Sequence, residues 1–188
     1  MTLRTTATVL ALPILALAAC SPSGPIKRQP GSWSQKVEIV KLEGKGATPE
    51  TKAQMQKMFD SMAAMSVCLT PAAAAKEDFS KAMEQMASRG QNCTFDKKDV
   101  TGGTINVSAT CKQATGGTVK MTITGTNSAT AQALTMQTEG YDAGSVKQGT
   151  MQMKITSTRS GDCKPGDITP PDAPAATGPA PVPPAAKP

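Results

Sequence analysis

The chain has 188 residues and a formal net charge of +6, with no histidine and only 1 Trp, 1 Tyr and 3 Phe. The charge does not indicate a nucleic-acid-binding protein, because residues 31–163 carry 15 basic and 12 acidic side chains that alternate along the chain. Nucleic-acid-binding domains concentrate their basic residues, and those for single strands add stacking aromatics. Without histidine the commonest general base is absent, and no motif marks another catalytic pair. We therefore expect neither an enzyme nor a bound cofactor.

The first element in chain order is a signal peptide, predicted over residues 1–19. Arg4 precedes an apolar run over 7–19 that is too short to span a bilayer, for which roughly 20 residues are needed. The run ends in Leu17-Ala18-Ala19-Cys20, which resembles the lipobox of bacterial lipoproteins. That resemblance implies cleavage before the cysteine, a diacylglycerol on its sulfur and acylation of its new amino terminus, with palmitate among the fatty acids. Ser21, where inner-membrane lipoproteins would have aspartate, implies the periplasmic face of the outer membrane. An ordinary secretory signal with a chance cysteine is the alternative.

Proline-rich stretches border one predicted folded domain over residues 31–163. Residues 20–30 are predicted to form a lipidated tether, in which Lys27 and Arg28 would favour an anionic membrane surface. Residues 164–188 hold nine of the 15 prolines. A tail of this composition lacks the apolar side chains that offset the entropy of ordering, so we predict that it is disordered.

Four cysteines remain when the lipidated Cys20 is set aside, and an even number in an exported domain indicates disulfides. Cys93 and Cys111 lie nine residues on either side of Gly102, in a hairpin pattern around a Gly-Gly turn. A strict two-residue turn would set Cys93 opposite Lys112. The predicted disulfide between the two cysteines therefore requires a three-residue loop or a bulge.

The other two cysteines, Cys68 and Cys163, are predicted to form the second disulfide. A zinc site is the alternative for all four cysteines. It is disfavoured because the chain has neither a Cys-x-x-Cys spacing nor a histidine, which are the usual marks of structural zinc sites. We therefore predict no metal site at the cysteines.

Hydrophobic periodicity predicts an α+β domain that is mainly β. A first strand over 32–42 precedes a helix that begins at Thr48-Pro49, where a hydroxyl cap is followed by proline. A short strand-like stretch over 66–69 precedes a second helix, predicted over 71–88. Period-two alternation then predicts five strands, at 93–100, 104–113, 117–125, 130–139 and 149–159. Consecutive strands joined by short turns indicate a curved antiparallel meander or partial barrel, packed on one or two helices.

Four short motifs follow one another along this domain. They are Pro30-Gly31-Ser32-Trp33, Cys68-Leu69-Thr70-Pro71, the cysteine at position 93 before Gly- and Thr-rich strands, and Arg159-Ser160-Gly161-Asp162-Cys163. In their order and spacing they resemble the bacterial family called domain of unknown function 3617. The resemblance covers residues 30–163 and implies a small exported or lipoprotein-signalled chain. It implies no activity, because none is established for the family.

The chain's 11 methionines leave two functions open. Several of them have spacings that Cu(I) sites use, namely Met55-x-x-Met58, Met62-x-x-Met65, Met83-x-x-Met86 and Met151-x-Met153, and soft sulfur ligands suit Cu(I). The helical methionines share stripes with Phe59 and Phe79, however, and methionine commonly fills gaps in cores. We therefore expect core packing, and a non-enzymatic envelope lipoprotein that reaches the membrane through lipid on Cys20. Its expected partner is a small apolar ligand or an envelope protein, and Cu(I) binding is the alternative.

Overall fold

A computed structural model describes residues 24–88, 92–114 and 116–169, in which seven strands form one sheet. In chain order the strands are β1 (Gly31–Gly44), β2 (Val67–Leu69), β3 (Asn92–Thr101), β4 (Thr104–Lys112), β5 (Thr118–Asn127), β6 (Ala131–Tyr141) and β7 (Lys147–Gly161). The helices are α1 (Pro49–Ala63), α2 (Pro71–Lys76) and α3 (Phe79–Ser88). The predicted signal peptide, Cys20 and the predicted tail from residue 170 onward lie outside the described residues.

All neighbouring strands in the sheet are antiparallel, and their order is β2-β1-β7-β6-β5-β4-β3. Strands β3 to β7 follow one another as the predicted meander, whereas β1 pairs with the last strand of the chain, β7, along most of its length. Because β2 and β3 form two edges, the sheet is open. The predicted fold class is confirmed: a mainly β, α+β domain with an antiparallel sheet, helices and two disulfides.

The sheet has one apolar and one polar face, because side chains alternate along each strand. The apolar inner face provides most of the core, with Ile39, Ile105, Val107, Ile123, Leu134, Met136, Met153 and Ile155. Phe59 of α1 and Met83 of α3 complete this cluster from the helices. The outer face carries threonine, serine and lysine side chains in the alternate positions.

The sheet bends around its two longer helices. Helix α1 lies along β1 and α3 along β3, which in a flat sheet would be about 24 Å apart, at roughly 4.8 Å per strand. Two helices about 10 Å wide would then leave the middle strands uncovered. Met136, on the central strand β6, is nevertheless only 2 % exposed. The predicted curvature is therefore needed to bring both helices over the middle of the sheet.

The single helix predicted over 71–88 is divided into α2 and α3. Helix α2 ends at Lys76, and Glu77 takes an extended conformation with ψ 121°. Asp78 then begins α3, because its Oδ1 accepts a hydrogen bond from the backbone N–H of Lys81 at 3.1 Å. The prediction of one helix was wrong because it followed the apolar spacing alone. The carboxylate of Asp78 caps the N-terminus of a separate helix.

The β3–β4 hairpin contains the predicted bulge together with a two-residue turn. Gly102 and Gly103 have φ of 54° and 81°, the left-handed conformations that such a turn requires. One extra residue, Asp96, lies in β3 where the register shifts. The shift sets Cys93 directly opposite Cys111, and the two are joined by the predicted disulfide.

Candidate functional site

Residues 24–30 lie against the folded domain ahead of β1, and we call this segment the strap. Asn127 Nδ2 donates a hydrogen bond to the carbonyl oxygen of Ile26 at 2.5 Å. The backbone N–H of Gln29 donates to the carbonyl oxygen of Ala129 at 2.8 Å. The strap is therefore bound to the β5–β6 turn, although these residues were predicted to be part of the tether.

Arg28 links the strap to the helical side of the domain. Its Nε donates to Glu77 Oε1 at 2.8 Å, and its Nη2 donates to the same oxygen. Its guanidinium carbon lies 4.9 Å from the centre of the Trp33 ring, a cation–π distance. The side chains of Arg28 and Glu77 are only 10 % and 14 % exposed. Arg28 was expected beside the membrane surface, but its charge is paired within the domain.

A row of polar side chains crosses the inner face beside the strap, and we call it the polar row. Gln35, Ser157, Gln132 and Asn127 occupy paired positions on β1, β7, β6 and β5, where neighbouring Cβ atoms are about 5 Å apart. Ser157 and Gln132 are 3 % and 6 % exposed. Ser157 Oγ, Gln132 Oε1 and Asn127 Oδ1 accept no hydrogen bond from the described part of the protein. Such buried acceptors suit a hydrogen-bond donor, such as a water molecule or an amide group.

The methionines whose side chains the structure describes divide into a buried and an exposed set; Met86, of the predicted Met83-x-x-Met86 spacing, lies outside them. Six of them lie in or against the core: Met55, Met83, Met121, Met136, Met151 and Met153. Met58, Met62 and Met65, which we call the methionine ridge, are instead 49 %, 46 % and 48 % exposed. The expectation of core packing was therefore wrong for the ridge, whose thioethers are open to solvent.

The orientation of α1 explains why the ridge is exposed. Gln56 Oε1 accepts the backbone N–H of Ile39, and its Nε2 donates to the carbonyl oxygen of Val37, both at 2.8 Å. This side of α1 therefore covers the edge of β1, while Phe59 faces the core. At about 100° per residue, the methionine ridge lies beyond Phe59 on the side away from Gln56. Met58 and Met62 are four residues apart, so their side chains are neighbours on the helix surface, and Met65 follows two residues after the helix ends.

A group of ionisable side chains on the outer face centres on Glu139. Its carboxylate accepts hydrogen bonds from Lys147 Nζ at 2.6 Å and from Tyr141 Oη at 2.8 Å. The bond from Lys147, followed by that from Tyr141, lowers the pKa of Glu139. The same two bonds to Glu139 raise the pKa of Lys147 and the pKa of Tyr141. A raised pKa keeps the amine and the phenol protonated, so neither is activated as a base or nucleophile.

A model of the family described as "Protein of unknown function (DUF3617)" matches residues 28–163. The chain belongs to this family. The DUF3617 match begins at Arg28, so it includes the strap residue that pairs with Glu77, and it ends at Cys163. No curated protein and no solved structure matches the chain.

Both disulfides predicted for the DUF3617 domain are present in the structure. Cys68 on β2 is bonded to Cys163, which lies just after β7. This disulfide therefore links the edge strand β2 to the end of the longest strand, β7. The chain stays on the domain beyond this bond, because Ile168 pairs with Val67 and the carboxylate of Asp167 accepts a hydrogen bond from Ser66 Oγ. Residues 164–169, assigned to the tail from sequence, therefore contact the DUF3617 domain.

Neither a metal cluster of common ligands nor a membrane-spanning helix is found in the described residues of this DUF3617 protein. Over 24–88, 92–114 and 116–169, His, Cys, Asp and Glu side chains form no group of three that could hold a metal ion. None of the helices in these ranges combines the length and the apolar character needed to cross a bilayer.

The structure describes four of the five site residues predicted from sequence, and it adds the strap. Cys20 lies outside the described residues, and the other four cysteines are paired as predicted. The strap was missed because Arg28 and Glu77 are 49 positions apart, and no local period relates them. The one feature of the local sequence that could have indicated the strap is the charged pair Lys27-Arg28, which comes shortly before the Pro-Gly-x-Trp motif of DUF3617.

Proposed function

We propose that this DUF3617 protein is an exported lipoprotein, held to the periplasmic face of the outer membrane by lipid on Cys20. The observation that supports the proposal is the sequence Leu17-Ala18-Ala19-Cys20, together with strap contacts at Ile26 and Gln29 that lie beyond this cysteine. Cleavage before Cys20 would remove the signal peptide and leave the strap and the domain intact. Two or more acyl chains on one cysteine give stable membrane attachment, whereas one gives only marginal binding.

Metabolic labelling with radioactive palmitate tests the anchor. We expect label on the wild-type chain and none on Cys20→Ala. The matched control is Cys163→Ala, which also loses a cysteine but keeps the predicted lipidation site, and it should be labelled like the wild type. Label that persists on Cys20→Ala would contradict the proposal.

We infer further that the domain acts by binding and not by catalysis, and that it binds an envelope protein in preference to a small apolar ligand. The inner face supports this choice because side chains of α1 and α3 fill it, so that an apolar ligand would have to displace part of the core. The lack of histidine favours binding over catalysis, and the raised pKa values of Lys147 and Tyr141 oppose base or nucleophile chemistry at these two side chains.

Native mass spectrometry of the lipoprotein extracted from its own membrane tests this inference. We expect the mass of the lipidated chain with no small molecule retained, and a partner protein linked to it after chemical cross-linking in intact cells. A retained lipid-sized mass would contradict the choice of a protein partner and favour the small apolar ligand. A retained copper mass would favour the second function.

The second candidate function is binding of a soft metal ion such as Cu(I), favoured by the exposure of Met58, Met62 and Met65. Thioethers are ligands for Cu(I); Met58 and Met62 lie on one side of α1, and Met65 lies two residues beyond its end. Titration with Ag(I), a soft ion that needs no reductant, tests this function in the lipoprotein with its disulfides intact. Binding should be lost when all three are replaced by leucine and kept in Met121→Leu, which alters a methionine packed against the core. No binding by the wild type would exclude this function.

A further inference from the structure

The strap enters the domain at one end of the sheet, which we call the strap end. This end contains the β3–β4 turn at Gly102-Gly103 and the β5–β6 turn over 128–130. Ile26 touches both turns: its Cδ1 is so near Gly103 that an added Cβ there would lie 3.0 Å from it, and its carbonyl oxygen accepts from Asn127 Nδ2. Ile26 is therefore fixed to the strap end.

The distance from the strap end to Cys20 is limited by the length of the intervening chain. Five residues, 21–25, separate Cys20 from Ile26, so the two Cα atoms can be at most about 22 Å apart. Strand β7 has 15 residues and is therefore roughly 50 Å long. A lipid on Cys20 would keep the strap end near the bilayer, while the opposite end of the sheet extends more than twice as far.

We propose that the domain stands on the phospholipid surface through its strap end, with the β3–β4 and β5–β6 turns against the headgroups. The opposite end, with the β6–β7 connection over 142–146, then projects away from the membrane. This orientation rests on the proposed lipid anchor at Cys20. It adds that the anchor fixes which end of the domain faces the bilayer, because only five residues separate Cys20 from Ile26, which is bound to the strap end.

Fluorescence quenching in vesicles tests the orientation. The full lipoprotein is reconstituted into phosphatidylcholine vesicles that contain lipids with nitroxide headgroups. A fluorophore is attached through an azide-bearing amino acid in place of Thr130 at the strap end or, in a second sample, in place of Ala143 at the opposite end; both residues are exposed. We expect quenching that is severalfold stronger at position 130 than at position 143. Equal quenching, or stronger quenching at 143, would overturn the orientation.

Two controls separate the orientation from the anchor. Flotation of the vesicles reports the anchor itself: protein that does not float would overturn both proposals, whereas protein that floats but shows equal quenching overturns the orientation alone. A long Gly-Ser linker inserted between Ser23 and Gly24 should leave flotation unchanged and remove most of the difference in quenching. A difference that survives the linker would overturn the role assigned to the short tether.

Discussion

Arg28 and Glu77 form an ion pair across 49 positions of the sequence, and the pair is shielded by the Trp33 ring on one side of the guanidinium. Glu77 lies where the chain leaves α2 and has not yet entered α3. The pair therefore joins three parts of the chain, namely the strap, the start of β1 and the break between two helices. This connection makes the segment next to the proposed anchor a part of the fold.

Removal of one partner of this ion pair should destabilise the domain. Glu77→Gln leaves the Arg28 charge without its partner at a site where both side chains are mostly buried, and we expect a loss of about 2 kcal/mol in the free energy of unfolding. Urea unfolding measures it. Lys41→Ala is the matched control, because Lys41 pairs with Glu43 at a site where both side chains are about half exposed, and such pairs contribute less than about 1 kcal/mol. Equal losses in the two variants would contradict the role of the strap.

The two disulfides should differ in their contribution to stability. Cys68–Cys163 spans 95 positions and Cys93–Cys111 spans 18. In the chain-entropy model these loops correspond to about 4.7 and 3.2 kcal/mol. Urea unfolding of the two double alanine variants should therefore show the larger loss for Cys68→Ala/Cys163→Ala. A larger loss for the hairpin disulfide would mean that packing around Cys93 and Cys111 outweighs loop length.

Ser157→Ala tests the polar row. The Ser157 hydroxyl is buried and accepts no hydrogen bond from the described protein groups, and a buried polar group without a partner costs about 1–3 kcal/mol. We expect the alanine variant to be as stable as the wild type or more stable by up to about 1 kcal/mol, measured by urea unfolding. Ser34→Ala, on the exposed outer face of β1, is the control. A clear loss of stability in Ser157→Ala alone would mean that this hydroxyl has a bound partner.

The two sets of methionines should respond differently to truncation. Met153 is 1 % exposed and packs in the core, whereas Met62 is 46 % exposed. Met153→Ala should therefore lose about 2–5 kcal/mol through the cavity that it leaves, and Met62→Ala should lose less than about 0.5 kcal/mol. Thermal or urea unfolding measures both. A large loss for Met62→Ala would show that the ridge packs against another part of the chain.

The Glu139 group should contribute to stability at neutral pH and lose this contribution in acid. The pKa of Glu139 lies below its ordinary value of 4.5 because the fold, through Lys147 first and Tyr141 second, favours the carboxylate. The contribution is therefore complete above 4.5 and is lost as the pH falls through the lowered pKa. The difference in unfolding midpoint between the wild type and Glu139→Gln should shrink over that range. Lys147→Met should abolish most of this pH dependence, and an unchanged difference at low pH would contradict the assignment.

Local features of the fold were predictable because they depend on residues close in sequence. Period-two alternation located the strands of the meander, and Thr48-Pro49 located the start of α1. A strict two-residue turn would have left Cys93 one residue out of register with Cys111, so their disulfide required a bulge or a longer loop. Asp96 provides the bulge. The break between α2 and α3 was missed because one apolar stripe fits either a continuous helix or two short ones.

The sequence by itself determined the α+β class, the meander, the hairpin turn and the proposed anchor at Cys20, since each of these follows from spacing or composition within a short window. Only the tertiary structure decided that β1 pairs with β7, that Met58, Met62 and Met65 are exposed, and that Arg28 is paired with Glu77 in the domain. These features depend on which distant segments become neighbours when the apolar face is buried. No period of 2 or 3.6 residues relates positions 28 and 77. The anchor at Cys20 could be proposed from Leu17-Ala18-Ala19-Cys20 and the apolar run before it, but the short tether behind it follows from contacts of Ile26 that exist only in the folded chain.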